Sequence, residues 1–283
     1  MLHYGIGASP ALWDLNLTPM VFVPNFQFLG SFQSNNIGKN IRTQFSDRLN
    51  DAGTPSRDWL RIPGLPAPRF ASGRWMDNTS HAGSLNVLTK SEKELELKLN
   101  TSLILDKQER HGNKSMEYLW GNERITYMES TDNFFQKNEF SASLQAIKNT
   151  RKTYLKNVLS IDREWLTNEG NNLRTAQQFN QAHTSGSLNL QNSFQNIFIR
   201  NGLKYNLYSN TDYYQSRQSL SVQYTGTDSL AHPVQDFHIR DFHLHNYLDL
   251  SKKIGRITLS GRIGSEISIS NIESRLTAHT VQH

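Results

Sequence analysis

The feature that most constrains the fold of this chain is a strict two-residue alternation in segment 92–107, EKELELKLNTSLILDK. Uncharged side chains occupy every second position from Leu95 to Leu105, and mostly charged or polar ones, such as Glu96 and Lys98, fill the gaps. Successive side chains of a β-strand point to opposite faces, whereas a helix repeats about every 3.6 residues. The segment is therefore predicted to be a long strand with one apolar and one polar face.

The same alternation recurs along most of the chain, and helical periodicity is nearly absent. Segment 196–209, NIFIRNGLKYNLYS, is interpreted as one strand with Ile197, Ile199 and Leu203 on a common face. Further long repeats are DFHLHNYLDLS at 241–251 and GRITLSGRIGSEISIS at 255–270. The chain is therefore predicted to be all-β, with roughly ten strands of roughly ten residues, which is longer than the usual five or six.

The connections between these strands alternate in length. Short joins are expected at SEK, TRK and KKIG, residues 91–93, 150–152 and 252–255, and around Gln195. Long polar or Pro- and Gly-rich connections are expected between them, at 37–79, 106–138, 167–182 and 210–239. Tight turns at one end of a meander and long loops at the other are typical of a transmembrane β-barrel, with short periplasmic turns and long extracellular loops.

Hydrogen bonding explains why such a sheet must close. In hydrocarbon every backbone amide needs a partner, so a spanning sheet has no free edge. The predicted fold is thus an antiparallel up-and-down transmembrane β-barrel. The alternative is a soluble or surface β-sheet protein that binds a ligand or partner through long loops, because soluble sandwiches also alternate.

The barrel interpretation assigns a direction to the side chains of each strand. Apolar side chains face lipid, and charged ones face the lumen. The predicted lipid-facing residues are Leu95, Leu97, Leu99, Leu103, Leu105, Ile257, Leu259 and Ile263. The predicted lumen-facing residues are Glu94, Glu96, Lys98, Arg256, Arg262 and Glu266.

Four segments of the chain carry more specific motifs: SFQSNNIGKNI at 31–41, LPAPRFASGRWMDNTSHAGSLNVLTK at 65–90, ELELKLNTSLILDKQER at 94–110 and KNTRKTYLKNVLSI at 148–161. These segments resemble the barrel region of TonB-dependent-receptor-like outer-membrane proteins of Bacteroidetes. The resemblance covers most of the chain in order. It implies a Gram-negative outer-membrane receptor that takes up an extracellular nutrient and is energised by a TonB-type complex.

The resemblance also implies parts that this sequence does not display. No plug domain, energy-coupling box or final strand ending in an aromatic residue is visible. Residues 1–283 are therefore expected to be a single partial barrel domain, an internal fragment lacking the plug and the C-terminal strands. Its expected partners are membrane lipid, an unidentified extracellular substrate and, through the absent parts, the energy-coupling complex.

Composition and motifs exclude several other functions. The net charge of +5 is scattered along the chain, which disfavours a nucleic-acid groove. There is no cysteine and no GxSxG, HExxH or P-loop pattern, so neither enzymatic activity nor a cofactor is predicted.

A few residues are candidates for more specific roles. His243 and His245 share a predicted strand face, so they either contribute to a metal site or are ordinary lumen-side polar groups. Gly121-Asn122 is predicted to turn a projecting hairpin, whose Tyr118, Trp120 and Tyr127 either contact a ligand or stabilise the hairpin across its strands. The tryptophans Trp13, Trp75 and Trp165 are candidates for interfacial girdles or for packing under loops.

Overall fold

The computed structural model describes residues 2–7, 11–41, 59–62, 69, 75–91, 94–120, 123–174, 177–225 and 231–280. They form one antiparallel sheet of twelve strands, which confirms the all-β, up-and-down prediction. The strands are β1 (Leu2–Gly7), β2 (Leu12–Leu17), β3 (Met20–Val23), β4 (Phe26–Asn35), β5 (Asp77–Lys90), β6 (Leu95–Trp120), β7 (Glu123–Asn149), β8 (Thr153–Arg174), β9 (Gln177–Arg200), β10 (Leu203–Thr225), β11 (Ala231–Ile254) and β12 (Ile257–Thr280).

Strands adjacent in the chain are neighbours in the sheet, except that β2 and β3 both pair with β4. Leu17 of β2 lies opposite Phe32, and Met20 of β3 lies opposite Leu29, so the two short strands keep one register. Pro19 between them has no N–H to give to the ladder, although its carbonyl accepts the Gly30 N–H at 2.9 Å. β2 and β3 are therefore one strand interrupted at a proline.

The strands are much longer than predicted. β6 to β12 contain 22 to 27 residues each. Three of the four predicted long loops, 106–138, 167–182 and 210–239, are mostly strand, so that part of the prediction is wrong. Backbone pairing continues where both faces become polar, because the ladder does not depend on side-chain polarity. A long connection does join β4 to β5, from residue 36 to 76.

The segment 196–209 is a hairpin and not the single strand that its alternation predicted. Arg200 pairs with Leu203 across a two-residue turn, Asn201-Gly202. Both turn residues have positive φ, 52° and 71°, as a type I′ turn requires. A two-residue turn shifts the alternation of faces by one position, so Ile199 and Leu203 lie on opposite faces of the sheet. The short join predicted around Gln195 is also wrong, because Gln195 lies inside β9 and pairs with Lys156 and Tyr208.

The register defines two faces of the sheet. The apolar face carries Leu99 and its register partners Val87, Leu144, Leu159, Asn192, Thr211, Leu244 and Ile267. The polar face carries Lys98 and its register partners Leu88, Gln145, Val158, Ser193, Asn210, His245 and Glu266.

Burial is inverted relative to a soluble sheet. In β6 the polar-face residues Ser102 and Gln108 are 6% and 5% exposed, whereas Leu103 on the apolar face is 43% exposed. Leu144 and Leu159, which lie opposite each other on the apolar face of two central strands, are also exposed. Among the described residues, buried polar side chains outnumber buried hydrophobic ones, sixteen to nine. Most of the buried polar side chains therefore lie on the polar face, although polar-face residues of the edge strand β12, such as Arg262, are exposed.

The connection between β4 and β5 covers part of the polar face. Ile41 in this connection forms a buried cluster with Ala82 and Ile104 of β5 and β6. Further along the connection, the backbone N–H groups of Trp59 and Leu60 both donate to Gln218 Oε1 of β10, at 3.0 Å each. The connection thus touches the polar face at two places four or more strands apart.

The sheet has two edges. In the part of the chain that the structure describes, β1 pairs only with β2, and β12 pairs only with β11. No helix in that part has the length and hydropathy that crossing a membrane would require.

Candidate functional site

The apolar face carries a band of mostly apolar side chains, which includes residues 95–105 of β6, 242–250 of β11 and 257–269 of β12. On β8 and β9 the band also contains Asn157 and Asn192, and Asn192 Nδ2 donates to Asn157 Oδ1 at 3.1 Å. At about 3.3 Å per residue, the β6 stretch is about 36 Å long, and a strand tilt of about 45° would reduce its height to about 25 Å. That height matches the apolar belt of a transmembrane barrel. The band starts at the short turns near residues 150, 201 and 255, and the strands continue well beyond its other end.

The structure brings the predicted lipid-facing residues together on the apolar face. All eight of them, Leu95, Leu97, Leu99, Leu103, Leu105, Ile257, Leu259 and Ile263, share that face through the strand register. Four predicted lumen-facing residues, Glu96, Lys98, Arg262 and Glu266, share the polar face. Glu94 and Arg256 lie in turns, Glu94 with a φ of 57°, so the alternation of the strands does not fix their direction.

A chain of hydrogen bonds runs across the polar face of β5 and β6. Asn78 Nδ2 donates to Ser80 Oγ at 2.7 Å, and Ser80 Oγ donates to Asp106 Oδ1 at 2.6 Å. Gln108 Nε2 donates to the other oxygen of Asp106 at 2.9 Å, and Gln108 Oε1 accepts from Arg110 Nη2 at 2.9 Å. Asn78 Oδ1 also accepts the Gly38 N–H at 2.7 Å, which ties the β4–β5 connection to this network.

A lysine and two glutamates continue the network on β7 and β8. Lys137 Nζ lies 2.8 Å from Glu139 Oε1 and 2.7 Å from Glu164 Oε2, just beyond the apolar band. Burial disfavours the charged ammonium, but the hydrogen bonds that it donates to both carboxylates outweigh this effect and raise the pKa of Lys137. Lys137 is therefore a fixed cation that neutralises two carboxylates at a partly buried position.

Other polar-face groups pair across the remaining strands. Arg262 Nη2 lies 3.1 Å from Asp249 Oδ2, which also accepts from Asn206 Nδ2 at 3.0 Å. The phenol ring of Tyr247 stacks on that of Tyr208, with centroids 4.7 Å apart. The polar face therefore offers a surface of paired charges, amides and aromatic rings along the strands.

The two candidate metal ligands occupy this polar face. His243 Nε2 lies 3.0 Å from Glu266 Oε1, and the His245 ring meets that of Tyr247 edge-on at 5.7 Å. The described ranges contain no group of three or more His, Asp or Glu side chains that could hold a metal ion.

The candidate ligand-contact residues lie at the tip of the β6–β7 hairpin. Trp120 pairs with Glu123, and the predicted turn residues Gly121-Asn122 lie outside the described part of the structure. β5 pairs with β6 only as far as Glu109, and β8 pairs with β7 only as far as Glu129. Residues 110–120 and 123–128 thus project beyond the neighbouring strands, with Tyr118 opposite Ile125 and Tyr127 opposite Met116. The side chain of Trp120 lies outside the described part of the structure.

The three tryptophans divide between the two surfaces. Trp165 lies on the apolar face at the outer margin of the band, with the Arg163 guanidinium 5.2 Å from its ring centroid. Trp13 also lies at this margin, and its Nε1 donates to Ser34 Oγ at 2.9 Å. Trp75 instead packs under Arg110, 5.1 Å away, beside the polar network.

Sequence reasoning did not identify the role of the β4–β5 connection. It was treated as an external loop, whereas its described parts lie on the polar face. The alternation of apolar residues at Leu60 and Ile62 was the available signal, although it does not name a partner. Comparison with known proteins adds no assignment, since no protein-family model matches the chain and no curated protein matches it.

Proposed function

We propose that this chain forms a membrane-spanning part of an outer-membrane β-barrel that takes up an extracellular nutrient. The observation that carries the proposal is the distribution of exposure: the apolar face presents exposed hydrophobic side chains over the height of a bilayer, whereas most of the buried polar side chains lie on the opposite face. A soluble sheet with this surface would leave a large apolar area in water, which favours association or membrane insertion.

The strand architecture supports the same proposal. A spanning sheet must pair every backbone amide within the membrane. β6 to β11 each have neighbours on both sides throughout the apolar band. β1 and β12 complete such a barrel by pairing with each other or with further strands.

The polar face supplies the interior of the proposed barrel. Its amides, hydroxyls and paired charges suit a water-filled path for a polar solute, and the β4–β5 connection narrows that path. Dependence on a TonB-type energy-coupling complex rests on the sequence resemblance, and the substrate stays unassigned.

Partitioning tests this proposal directly. The full-length protein, mixed with neutral lipid vesicles during folding, should float with the vesicles, resist carbonate extraction and migrate differently on gels before and after boiling. A matched variant, Leu144→Asp with Leu159→Asp, should lose this behaviour because both charges fall in the apolar band. A wild-type protein that stays monomeric in detergent-free buffer would favour the soluble or surface β-sheet alternative, which binds through its projecting hairpins.

A further inference from the structure

Three arginines cluster on the apolar face just beyond the band. Arg217 of β10 lies opposite His238 of β11. Arg240 lies two residues nearer the band on β11, and Arg275 lies on β12 opposite Asp236. We call Arg217, Arg240, Arg275 and His238 the arginine patch.

The patch is compact because its members occupy adjoining register positions. Directly opposite residues of an antiparallel pair have Cβ atoms about 5 Å apart, and diagonal neighbours about 7–8 Å. Arg240 Nε donates to His238 Nε2 at 3.2 Å. A groove of about 690 Å³ is lined by Arg217, His238 and Arg275, together with Asp236 and Glu273.

The arginines are available to an external anion. Within the described ranges none of the three forms an ion pair. Of the nearby carboxylates, Asp236 accepts a hydrogen bond from Ser219 Oγ at 2.7 Å, and Glu273 accepts one from Asn271 at 3.1 Å. Burial is the main cause that lowers the pKa of His238, and the charges of Arg240 and Arg217 lower it further against the opposing charge of Glu273.

The position of the patch adds an apolar component. Phe242 and Ile269 lie opposite each other at the end of the apolar band. They are two residues along their strands from Arg240 and Asn271, and all four lie on the same face. Other basic side chains stand at a similar level on this face, with Arg163 over Trp165 and Lys107 over Phe134. Cationic groups immediately above an exposed apolar surface match an anionic amphiphile, with its charge at the arginines and its chains on the band.

We propose that the arginine patch binds the phosphate headgroup of an anionic membrane lipid whose acyl chains pack on Phe242 and Ile269. Guanidinium groups bind phosphate oxygens in a bidentate geometry, and three of them adjoin His238 here: Arg217 opposite it, Arg240 two residues along β11 and Arg275 diagonally across on β12. The site lies on the face opposite the polar network, so it is separate from the path proposed for the solute. The inference rests on the proposed membrane insertion of the apolar band.

Lipid titration tests the site. The full-length protein in maltoside micelles, which carry no phosphate, is titrated with phosphatidic acid and with diacylglycerol of the same chains, and bound lipid is counted by native mass spectrometry. Wild type should prefer phosphatidic acid. Arg217→Gln, Arg240→Gln and Arg275→Gln combined should weaken its binding roughly 100-fold, because each basic group near such a headgroup contributes roughly fivefold. Diacylglycerol binding should not change.

The matched control removes a cation from the same face at the opposite end of the band. Lys252 of β11 lies opposite Leu259, and Lys252→Gln should leave the preference intact. Equal loss in this control, or an unchanged preference in the triple variant, would overturn the site. If millimolar inorganic phosphate competes with phosphatidic acid, the ligand of the site would be a free anion and not a lipid, which would overturn the proposal. Vesicle flotation of the same preparations separates the two proposals. If the wild type floats but shows no preference for phosphatidic acid, only the lipid-binding proposal is wrong. If the wild type does not float, the proposed membrane insertion is wrong.

Discussion

Leu105 and Asp106 are adjacent in β6, yet Leu105 is 39% exposed and Asp106 is 4% exposed. Burial of a carboxylate is tolerated here because Ser80 and Gln108 donate to its two oxygens, at 2.6 and 2.9 Å. The exposed leucine has no such compensation in water, and it belongs to a band of like residues. Because consecutive residues of β6 lie on faces of opposite polarity, the same kind of substitution should change stability differently on the apolar face and on the polar face.

Leu99→Arg should destabilise the inserted protein by about 2–4 kcal/mol, since Leu99 lies at the centre of the apolar band and a cation there meets hydrocarbon. Lys98→Leu, one residue away on the polar face, should change the unfolding free energy little. Urea unfolding in lipid vesicles, followed by tryptophan fluorescence, measures both. If the two substitutions change the unfolding free energy by similar amounts, the result would favour the soluble β-sheet alternative.

Lys137→Met should destabilise the protein by about 1–3 kcal/mol, between the values for exposed and buried ion pairs. Glu139 and Glu164 would be left close together without their cation. A carboxylate that binds its proton more tightly in the folded state loses stability as pH rises, so the variant should recover as pH falls. The measurement is the unfolding free energy against pH. Adding Glu139→Gln and Glu164→Gln should remove most of the recovery.

The sequence predicted the faces of β6 from Leu95 to Leu105 because polarity and register agree at each position there. Beyond Asp106 both faces become polar, so alternation disappears while the ladder continues, and the outer halves of the strands were assigned to loops. Asn201-Gly202 carried a local turn signal that the surrounding alternation outweighed. The contact between Trp59 and Gln218 joins residues 159 positions apart, and such a partner has no local signal.

Gly264→Ala should cost about 1–3 kcal/mol through overpacking. An added Cβ would lie 2.7 Å from the Asn246 carbonyl oxygen and 3.1 Å from Tyr247 Cβ. The control is Gly261→Ala on the same strand, where nothing lies within 4 Å of the added atom. Thermal unfolding in detergent compares the two, and equal losses would show that the close approach at Gly264 is not the cause.

His111 should titrate above its ordinary pKa of 6.5, because Asp132 Oδ1 lies 2.8 Å from its Nδ1 and favours the imidazolium. Any stability from this exposed pair is fully present below 6.5 and is lost as pH rises through the raised pKa. NMR titration of the imidazole carbons measures the value. Asp132→Asn should move the pKa back toward 6.5, whereas Glu117→Gln, which removes another carboxylate from the same hairpin, should not.

Gln218→Leu should release the β4–β5 connection from the polar face. Gln218 Oε1 accepts two backbone N–H groups, from Trp59 and Leu60, and its side chain is 3% exposed. Leucine fills a similar volume but leaves both donors unpaired, at a cost of about 1–3 kcal/mol for each buried group.

Hydrogen–deuterium exchange of peptides covering residues 59–62 detects this release. Exchange should accelerate in Gln218→Leu while peptides of the central strands stay protected. The control is Gln215→Leu on the apolar face, which removes an acceptor of the Tyr213 hydroxyl and touches no part of the connection. Faster exchange in both variants would mean that β10 itself had loosened. Unchanged exchange in Gln218→Leu would mean that contacts such as Trp59 on Phe237, with ring centroids 5.5 Å apart, hold the connection without the amide.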